Sequence, residues 1–319
     1  MNNIVVKGTI VYLLVGNDWF EYDSAQIPLG AGAMGTVYIG RNCKTGKNVA
    51  IKRVNQQYAN VPSIRQRAEI EARMQFRHRN LVEMIGICEQ PVSQGGAIFI
   101  VSNLVTGINL DQHVKNNLRK FNDSVRRICQ CMLPVLDALD YLHSKNIYHL
   151  DIKPSNIMIE SGTSNIRLMD LGIVSIGENV DVRSGMIGTP QYAAPEQCDP
   201  SYGNIDATTD IYEAGVTLFE LLANYNPYDA PSIMQTVQLH QTIKIPYVEG
   251  INPAIIDVLR KATSVRKEER FKTAMQFKSA LQAAMSTPVT PSKKNNKSIW
   301  IIAAVVLIIL ILLSIIIAL

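Results

Sequence analysis

Residues 148–158, YHLDIKPSNIM, bring a carboxylate (Asp151), a cation (Lys153) and a carboxamide (Asn156) within six positions. An acid that accepts a hydroxyl proton, a lysine that steadies transferred phosphate and an amide that holds a metal are parts of a phosphoryl-transfer site. Apolar residues on both sides clamp the segment onto a core. Taken alone it decides little, because an Asp and a Lys in a loop are commonly just solvated. The chemistry also needs a cradle for phosphates, a second cation and a second metal ligand.

Elements that could supply these parts lie on either side. Residues 27–39, IPLGAGAMGTVYI, carry Gly30, Gly32 and Gly35. A dinucleotide fold would run from a strand into a helix at such a motif. Here both flanks are strand-like, so the spacing predicts a hairpin with a glycine tip. Such a tip can fold closely over phosphates and aim its amides at them, or it can be an ordinary turn. The next strand is predicted at 48–54, NVAIKRV. Lys52 sits there in an apolar run, where a buried ammonium needs a counterion or a phosphate. Residues 64–76 read as a charged helix, with Glu69 and Glu71 as candidate partners. Strands at 81–87 and 97–104, joined by a turn at 90–96, complete a strand-rich part that ends near Gly107. Before it, IVVKGTIVYLLV predicts one or two short strands broken near Gly8, extending the sheet or covering an edge.

Beyond residue 110 the pattern becomes helical. A short helix at 111–118 precedes a long one at 124–144, where Val125, Ile128, Met132, Val135, Leu136, Leu139 and Leu142 recur at helical spacing and Pro134 is a point of bending. A strand at 166–169 delivers Asp170-Leu171-Gly172, and a loop runs on to Gly188-Thr189-Pro190 and Ala194-Pro195-Glu196. Further helices are predicted from Asp210 to Leu222, around 254–262 and at 273–284.

Composition narrows the class. A chain of 319 residues has room for about two domains. The net charge of +4, without a basic run interleaved with aromatics, argues against a nucleic-acid partner. The five cysteines are odd in number and contain no Cys-x-x-Cys. Cys129 and Cys131 would point to different faces of their helix, so buried or partly buried thiols in a reducing compartment are expected instead of zinc or disulfides. No signal peptide is expected at residues 1–15, where Lys7, Gly8 and Thr9 interrupt the apolar content. Residues 299–319 form 21 positions without a charge, with Trp300 at the start and Ser314 as the one hydroxyl. As a helix they would reach about 32 Å, matching a hydrocarbon core of roughly 30 Å. Lys293, Lys294 and Lys297 precede them, which predicts a single-pass span with the preceding domain on the cytoplasmic side. That is the layout of a tail anchor, and a chain cut after its span would look the same.

In this order the glycine loop, Val49-Ala50-Ile51-Lys52, the helix glutamate, the catalytic loop, Asp-x-Gly and Ala-Pro-Glu resemble the eukaryotic-type protein kinases, more closely their bacterial Ser/Thr branch. The resemblance spans about residues 22–284. It implies an α+β bilobal fold: a small antiparallel sheet plus one helix at 22–106 and a mostly helical lobe at 107–284. A β extension at 1–21 would precede it; a basic linker at 285–298 and the transmembrane helix at 299–319 would follow.

The resemblance also implies roles. Leu29, Gly30, Ala31, Gly32, Ala33, Met34 and Gly35 would cover the phosphates of ATP, and Val37 and Ala50 would pack on its adenine. Lys52 would hold the α- and β-phosphates and pair with Glu69, which lies nine residues before His78. Asp151 would orient the substrate hydroxyl and accept its proton, Lys153 would contact the γ-phosphate, and Asn156 and Asp170 would ligate Mg2+. Residues 103–105, with Asn103 and Val105, would form the hinge that meets the adenine, with Ser102 as a small gatekeeper behind it. Thr189 would support Asp151 and Lys153, Glu196 and Arg270 would form a buried ion pair, and Asp210 would tie the catalytic loop to its helix.

The departures are Leu150 where the family often has arginine, Leu171 for phenylalanine and Arg73 at a usually apolar position. Leu150 bears on activation by loop phosphorylation, for which Ser175, Ser184 and Thr189 are the hydroxyls at hand. None of the three removes a metal ligand, the proton acceptor or the phosphate lysine. The reading that follows is a Ser/Thr protein kinase acting on protein hydroxyls, its own among the candidates, held at a bacterial cytoplasmic membrane where two copies could pair. A nucleotide-binding scaffold without turnover is the alternative. A small-molecule kinase is disfavoured by Gly188-Thr189-Pro190 and Ala-Pro-Glu, which shape a protein-substrate groove.

Overall fold

A computed structural model describes residues 3–32, 35–59, 65, 76–170, 175–176 and 188–288. Met1–Ser286 form one compact unit and Thr287–Leu319 another. The anticipated membrane span, the helix at 64–76 except Arg65 and Phe76, and the Leu171 and Arg73 departures lie outside the described residues. Among the described residues no helix is long and apolar enough to cross a membrane.

The first lobe is an antiparallel sheet. Its strands are β1 (Ile4–Lys7), β2 (Ile10–Val15), β3 (Asp18–Asp23), β4 (Gly30–Ala31), β5 (Gly35–Asn42), β6 (Asn48–Val54), β7 (Met84–Glu89) and β8 (Ile98–Asn103). Their order is β1-β2-β3-β5-β6-β8-β7, with β4 paired to β5. Alternating side chains give the sheet two buried faces. Val49, Ile51, Phe99 and Val101 face Val11, Leu13 and Phe20 in one cluster. Val54, Ile98 and Ile100 face the other way, with Val105 and Met169 packed against them.

The first strands extend the sheet. Ile10 through Val15 pair with Asp23 through Asp18, and Gly8 makes the turn between β1 and β2 with φ +61°. They also curl round to the far edge, where Cys88 Sγ donates to Asn3 O at 3.2 Å. The five thiols are free. Cys43, in the hairpin turn between β5 and β6, is exposed, against the expectation of full or partial burial that the other four meet.

In the second lobe the helices pack on one another. After the short α1 (Gln56–Ala59) of the sheet lobe come α2 (Leu110–His113), α3 (Ser124–His143), α4 (Pro195–Cys198), α5 (Ala207–Ala223), α6 (Ile233–Thr242), α7 (Pro253–Ala262) and α8 (Ala274–Ser286). Helix α3 runs through Pro134 as a single element and buries the expected stripe from Ile128 to Leu142. Residues 114–118, expected as part of the preceding helix, form a wider turn of helix. Helix α5 is apolar or buried nearly all round, which marks a core helix. It starts earlier than expected because Asp206 caps it, accepting from Thr208 N at 2.8 Å. Helices α1, α4 and α6 were not anticipated. Helix α6 buries Thr236 and His240 and carries no continuous apolar stripe, so its sequence gives little periodic signal.

Two small sheets frame residues 149–156. β10 (Ile147–Tyr148) pairs with β13 (Ser175–Ile176), and β11 (Ile157–Glu160) lies between β9 (Gly107–Asn109) and β12 (Ile166–Leu168). The segment 149–156 is therefore a loop fixed at both ends by strands.

Candidate active site

Helix α5 sets the floor of the site. Asp210 accepts from His149 N at 2.9 Å and from Leu150 N at 2.8 Å. One turn on, Glu213 accepts from Ile152 N at 2.8 Å, and Thr217 donates to Ile152 O at 2.8 Å. Positions 210, 213 and 217 follow the i, i+3, i+7 spacing of one helix face, so one face addresses the whole segment. Gln197 of α4 donates to Leu150 O at 3.2 Å and to Glu213 Oε1 at 2.9 Å. Leu150 is fully buried with φ +64°.

Held in this way, Asp151 is 7% exposed. Its Oδ1 accepts from Thr189 Oγ1 at 2.6 Å, and its Oδ2 from Asn156 Nδ2 at 3.0 Å and Lys153 Nζ at 2.9 Å. Lys153 also donates to Thr189 Oγ1 at 2.6 Å. Asp151, Lys153, Asn156 and Thr189 thus form one network. Gly188 beside it is required: at φ +88°, an added Cβ would lie 2.6 Å from Leu150 O.

The Asp170 segment is stitched to this floor. Met169 N donates to Asn156 O at 2.7 Å, and His149 Nε2 meets Met169 O at 2.9 Å. Asp170 itself, at φ +55°, forms an ion pair with Lys52 of β6. Desolvation works against its charge, but the Lys52 ammonium outweighs it, helped by His149 and Lys153, and holds the carboxyl below the usual carboxylate range. The sheet register explains how Lys52 gets there. Lys52 lies opposite Val37 and Ile100, and Ala50 lies opposite Ser102. All four neighbours share one face of the sheet with it. Val105 packs in the cluster that includes Met169. Asn103 accepts from Lys47 Nζ at 3.2 Å and donates to Glu83 at 2.6 Å.

The glycine hairpin is held by its backbone: Leu29 N donates to Val37 O at 2.8 Å and Gly32 N to Gly35 O at 2.9 Å. Gly30 and Gly32 have open space where a side chain would be, whereas a Cβ at Gly35 would lie 2.3 Å from Arg53 O. Ala33, Met34 and Glu69 lie outside the described residues.

The donor set suits a hard cation. Asn156 spends its Nδ2 on Asp151 O and Oδ2, which leaves Oδ1 as the oxygen it can offer. With the ionised Asp170 carboxylate this is the oxygen chemistry that Mg2+ takes.

Around the network lie two buried supports. Glu196 and Arg270 form a bidentate pair at 2.6 and 2.9 Å, both side chains fully buried. His240 of α6 meets Pro190 O through Nε2 at 2.9 Å and Tyr212 Oη through Nδ1 at 2.8 Å. A carbonyl accepts only, so Nε2 carries the proton and Nδ1 accepts. Burial pushes this imidazole down to about 4. Sequence reasoning found Asp210, Thr189, Glu196 and Arg270, and missed Glu213, Gln197, Thr217 and His240. The i+3 and i+7 positions from Asp210 were a readable signal for Glu213 and Thr217. Nothing local marks Gln197 or His240.

A model of the protein kinase domain matches residues 24–283. The chain is 28% identical over 282 residues to serine/threonine-protein kinase Pkn1 of Myxococcus xanthus, covering 84% of this chain and 39% of that protein. It is 29% identical over 273 residues to serine/threonine-protein kinase PknB of Mycobacterium tuberculosis, covering 82% and 42%. It thus spans about two fifths of the length of these relatives. The solved PknI kinase domain of Mycobacterium tuberculosis superposes with a TM-score of 0.64 at 24% identity, covering 89% of this chain and 99% of that one, a likeness of bilobal fold.

Proposed function

Because the chain belongs to the protein kinase family, we propose that it transfers the γ-phosphate of ATP to serine or threonine hydroxyls of proteins. The observation that carries this reading is the Asp151–Lys153–Asn156–Thr189 network, linked through Met169 to the Lys52–Asp170 pair. Asp151 orients the acceptor hydroxyl and takes its proton as the new O–P bond forms and the bond from the γ-phosphorus to the β,γ-bridging oxygen breaks, leaving ADP. Lys153, beside it, offsets charge on the phosphoryl oxygens, and Lys52 holds the α- and β-phosphates. Asn156 Oδ1 and Asp170 would hold Mg2+. When bound, this ion neutralises phosphate charge and fixes the phosphates in line. Lysine two positions after the catalytic Asp and Thr189 beside both favour Ser/Thr acceptors. The names of the relatives point the same way.

Residues 299–319 tether the enzyme to a membrane in this reading, with the kinase unit on the cytoplasmic side of a bacterial membrane. Few residues separate the end of α8 at Ser286 from position 299, so in this reading substrates at the surface, or a second copy in the bilayer plane, meet the site at high effective concentration.

The test is transfer of labelled phosphate from Mg-ATP to a generic basic protein and to the chain itself. Asp151→Asn is expected to lower the rate by roughly a thousandfold or more. Equal incorporation by the variant would remove Asp151 from its role. Deleting 299–319 is expected to disperse the protein from membranes in cell fractionation; unchanged sedimentation with membranes would refute the tether.

A further inference from the structure

Five consecutive peptide groups under the catalytic residues are each held by a side chain from below. His149 N and Leu150 N go to Asp210, Leu150 O to Gln197, Ile152 N to Glu213 and Ile152 O to Thr217. The two peptides that flank Asp151 are the 150–151 and 151–152 units. Gln197 holds the first through Leu150 O, and Glu213 holds the second through Ile152 N. Glu213 also fixes Gln197, accepting from its Nε2 at 2.9 Å. Gln197 Oε1 in turn accepts from Ala194 N at 2.7 Å, which anchors the pair to the start of α4. Additional ties to these peptides come from Asn156 Nδ2 on Asp151 O at 2.8 Å and His149 Nδ1 near Asp151 N at 3.3 Å.

Glu213 is an expensive choice for this place. Its side chain is fully buried, and desolvation and the carboxylates of Asp210 and Asp151 push its carboxyl well above the usual range, against the Ile152 and Gln197 hydrogen bonds. A small neutral residue in α5 would avoid that cost but leave Ile152 N a buried donor without its acceptor. The segment can relieve such a loss by turning the 151–152 peptide, which swings the Asp151 carboxylate. Leu150, buried and apolar, brings no charge of its own to resist this.

We propose that Glu213, acting with Gln197, is a positioning residue: the pair fixes both peptide planes beside Asp151 and so aims its carboxylate at the acceptor hydroxyl. This rests on the kinase reading above. In this reading the nucleotide phosphates are met by Lys52 and the glycine hairpin, which belong to the sheet lobe and not to α4 or α5.

The experiment uses the full chain and the variants Glu213→Leu, Gln197→Leu and Glu213→Gln. It measures kcat, Mg-ATP affinity, thermal melting and amide hydrogen exchange at residues 150–152. Glu213→Leu is expected to lower kcat by roughly 10- to 100-fold, the scale of a 1 Å misplacement, with Mg-ATP affinity unchanged and faster exchange at Ile152. Gln197→Leu should show the same pattern more weakly. Glu213→Gln keeps an acceptor for Ile152 N and should recover most of the rate. Wild-type kcat in both leucine variants would overturn the proposal, as would parallel losses of rate, nucleotide affinity and melting temperature that glutamine does not rescue. Should Glu213→Leu not fold, Gln197→Leu and Glu213→Gln still decide by the same criteria. Absence of transfer by the wild type would count against the kinase reading alone. Exchange at 150–152 then decides the brace: unchanged protection in the variants refutes it.

Discussion

On the proposed function the segment at 149–156 and the glycine hairpin at 30–35 serve the same transfer, but they are secured by different means. The segment's backbone is gripped by side chains of α4 and α5, most of them fully buried. The hairpin is tied by backbone bonds between its own strands, and Gly30 and Gly32 stand in open space. A proton acceptor must be aimed to a fraction of an ångström, which a polar brace from a core helix supplies. A phosphate cradle must approach its ligand closely and then release it, which bare backbone allows. Substitutions beneath the floor should therefore act on stability and kcat, and substitutions in the roof on nucleotide handling.

The sharpest way to break the floor is Arg270→Leu. It strands the buried Glu196 carboxylate, and a loss of about 3–5 kcal/mol in denaturant unfolding is expected. Stability equal to wild type would mean that the pair supports nothing. In the roof lobe, Lys52→Met removes the cation that pairs with Asp170. Turnover should fall by roughly 10²- to 10³-fold with the fold intact by circular dichroism; normal turnover would exclude Lys52 from phosphate binding.

Acid should also distinguish the regions. The folded pKa of His240, about 4, lies below its ordinary 6.5, so the unfolded chain binds the extra proton between those values. Its contribution is complete above pH 6.5 and is lost as pH falls towards 4, up to roughly 3 kcal/mol. Urea unfolding of wild type against His240→Gln should show a shallower acid loss in the variant, and identical pH profiles would contradict this. The smallest effect is expected at the hairpin tip. Gly32→Ala should stay within about 0.5 kcal/mol of wild-type stability. Gly35→Ala, facing Arg53 O, should cost about 1–3 kcal/mol. Equal costs at both positions would erase the contrast.

Much of the floor was legible because its chemistry is local in sequence. Asp151, Lys153 and Asn156 lie within one short segment, and alternating or helical apolar spacing located β6, α3 and α5. Glu213 was passed over because a buried acid in an apolar helix gives no periodic signal, although its offset from Asp210 does. Helix α6 was missed because its buried positions are Thr236 and His240, which look solvated in sequence. Gln197 and His240 reach their partners only through tertiary packing, across 47 and 50 positions of chain. The N-terminal strands were expected, but their curl towards β7 depends on sheet twist, which residue types alone do not set.

The central claim is that Lys52, Asn156 and Asp170 converge on one metal-bound triphosphate while Asp151 serves only the transfer. Calorimetric titration of ATP, with and without Mg2+, into wild type, Asp170→Asn and Asp151→Asn tests it most directly. Mg2+ should tighten binding in wild type and in Asp151→Asn, and Asp170→Asn should lose that dependence. An Asp170→Asn variant that responds to Mg2+ as wild type does would contradict the account.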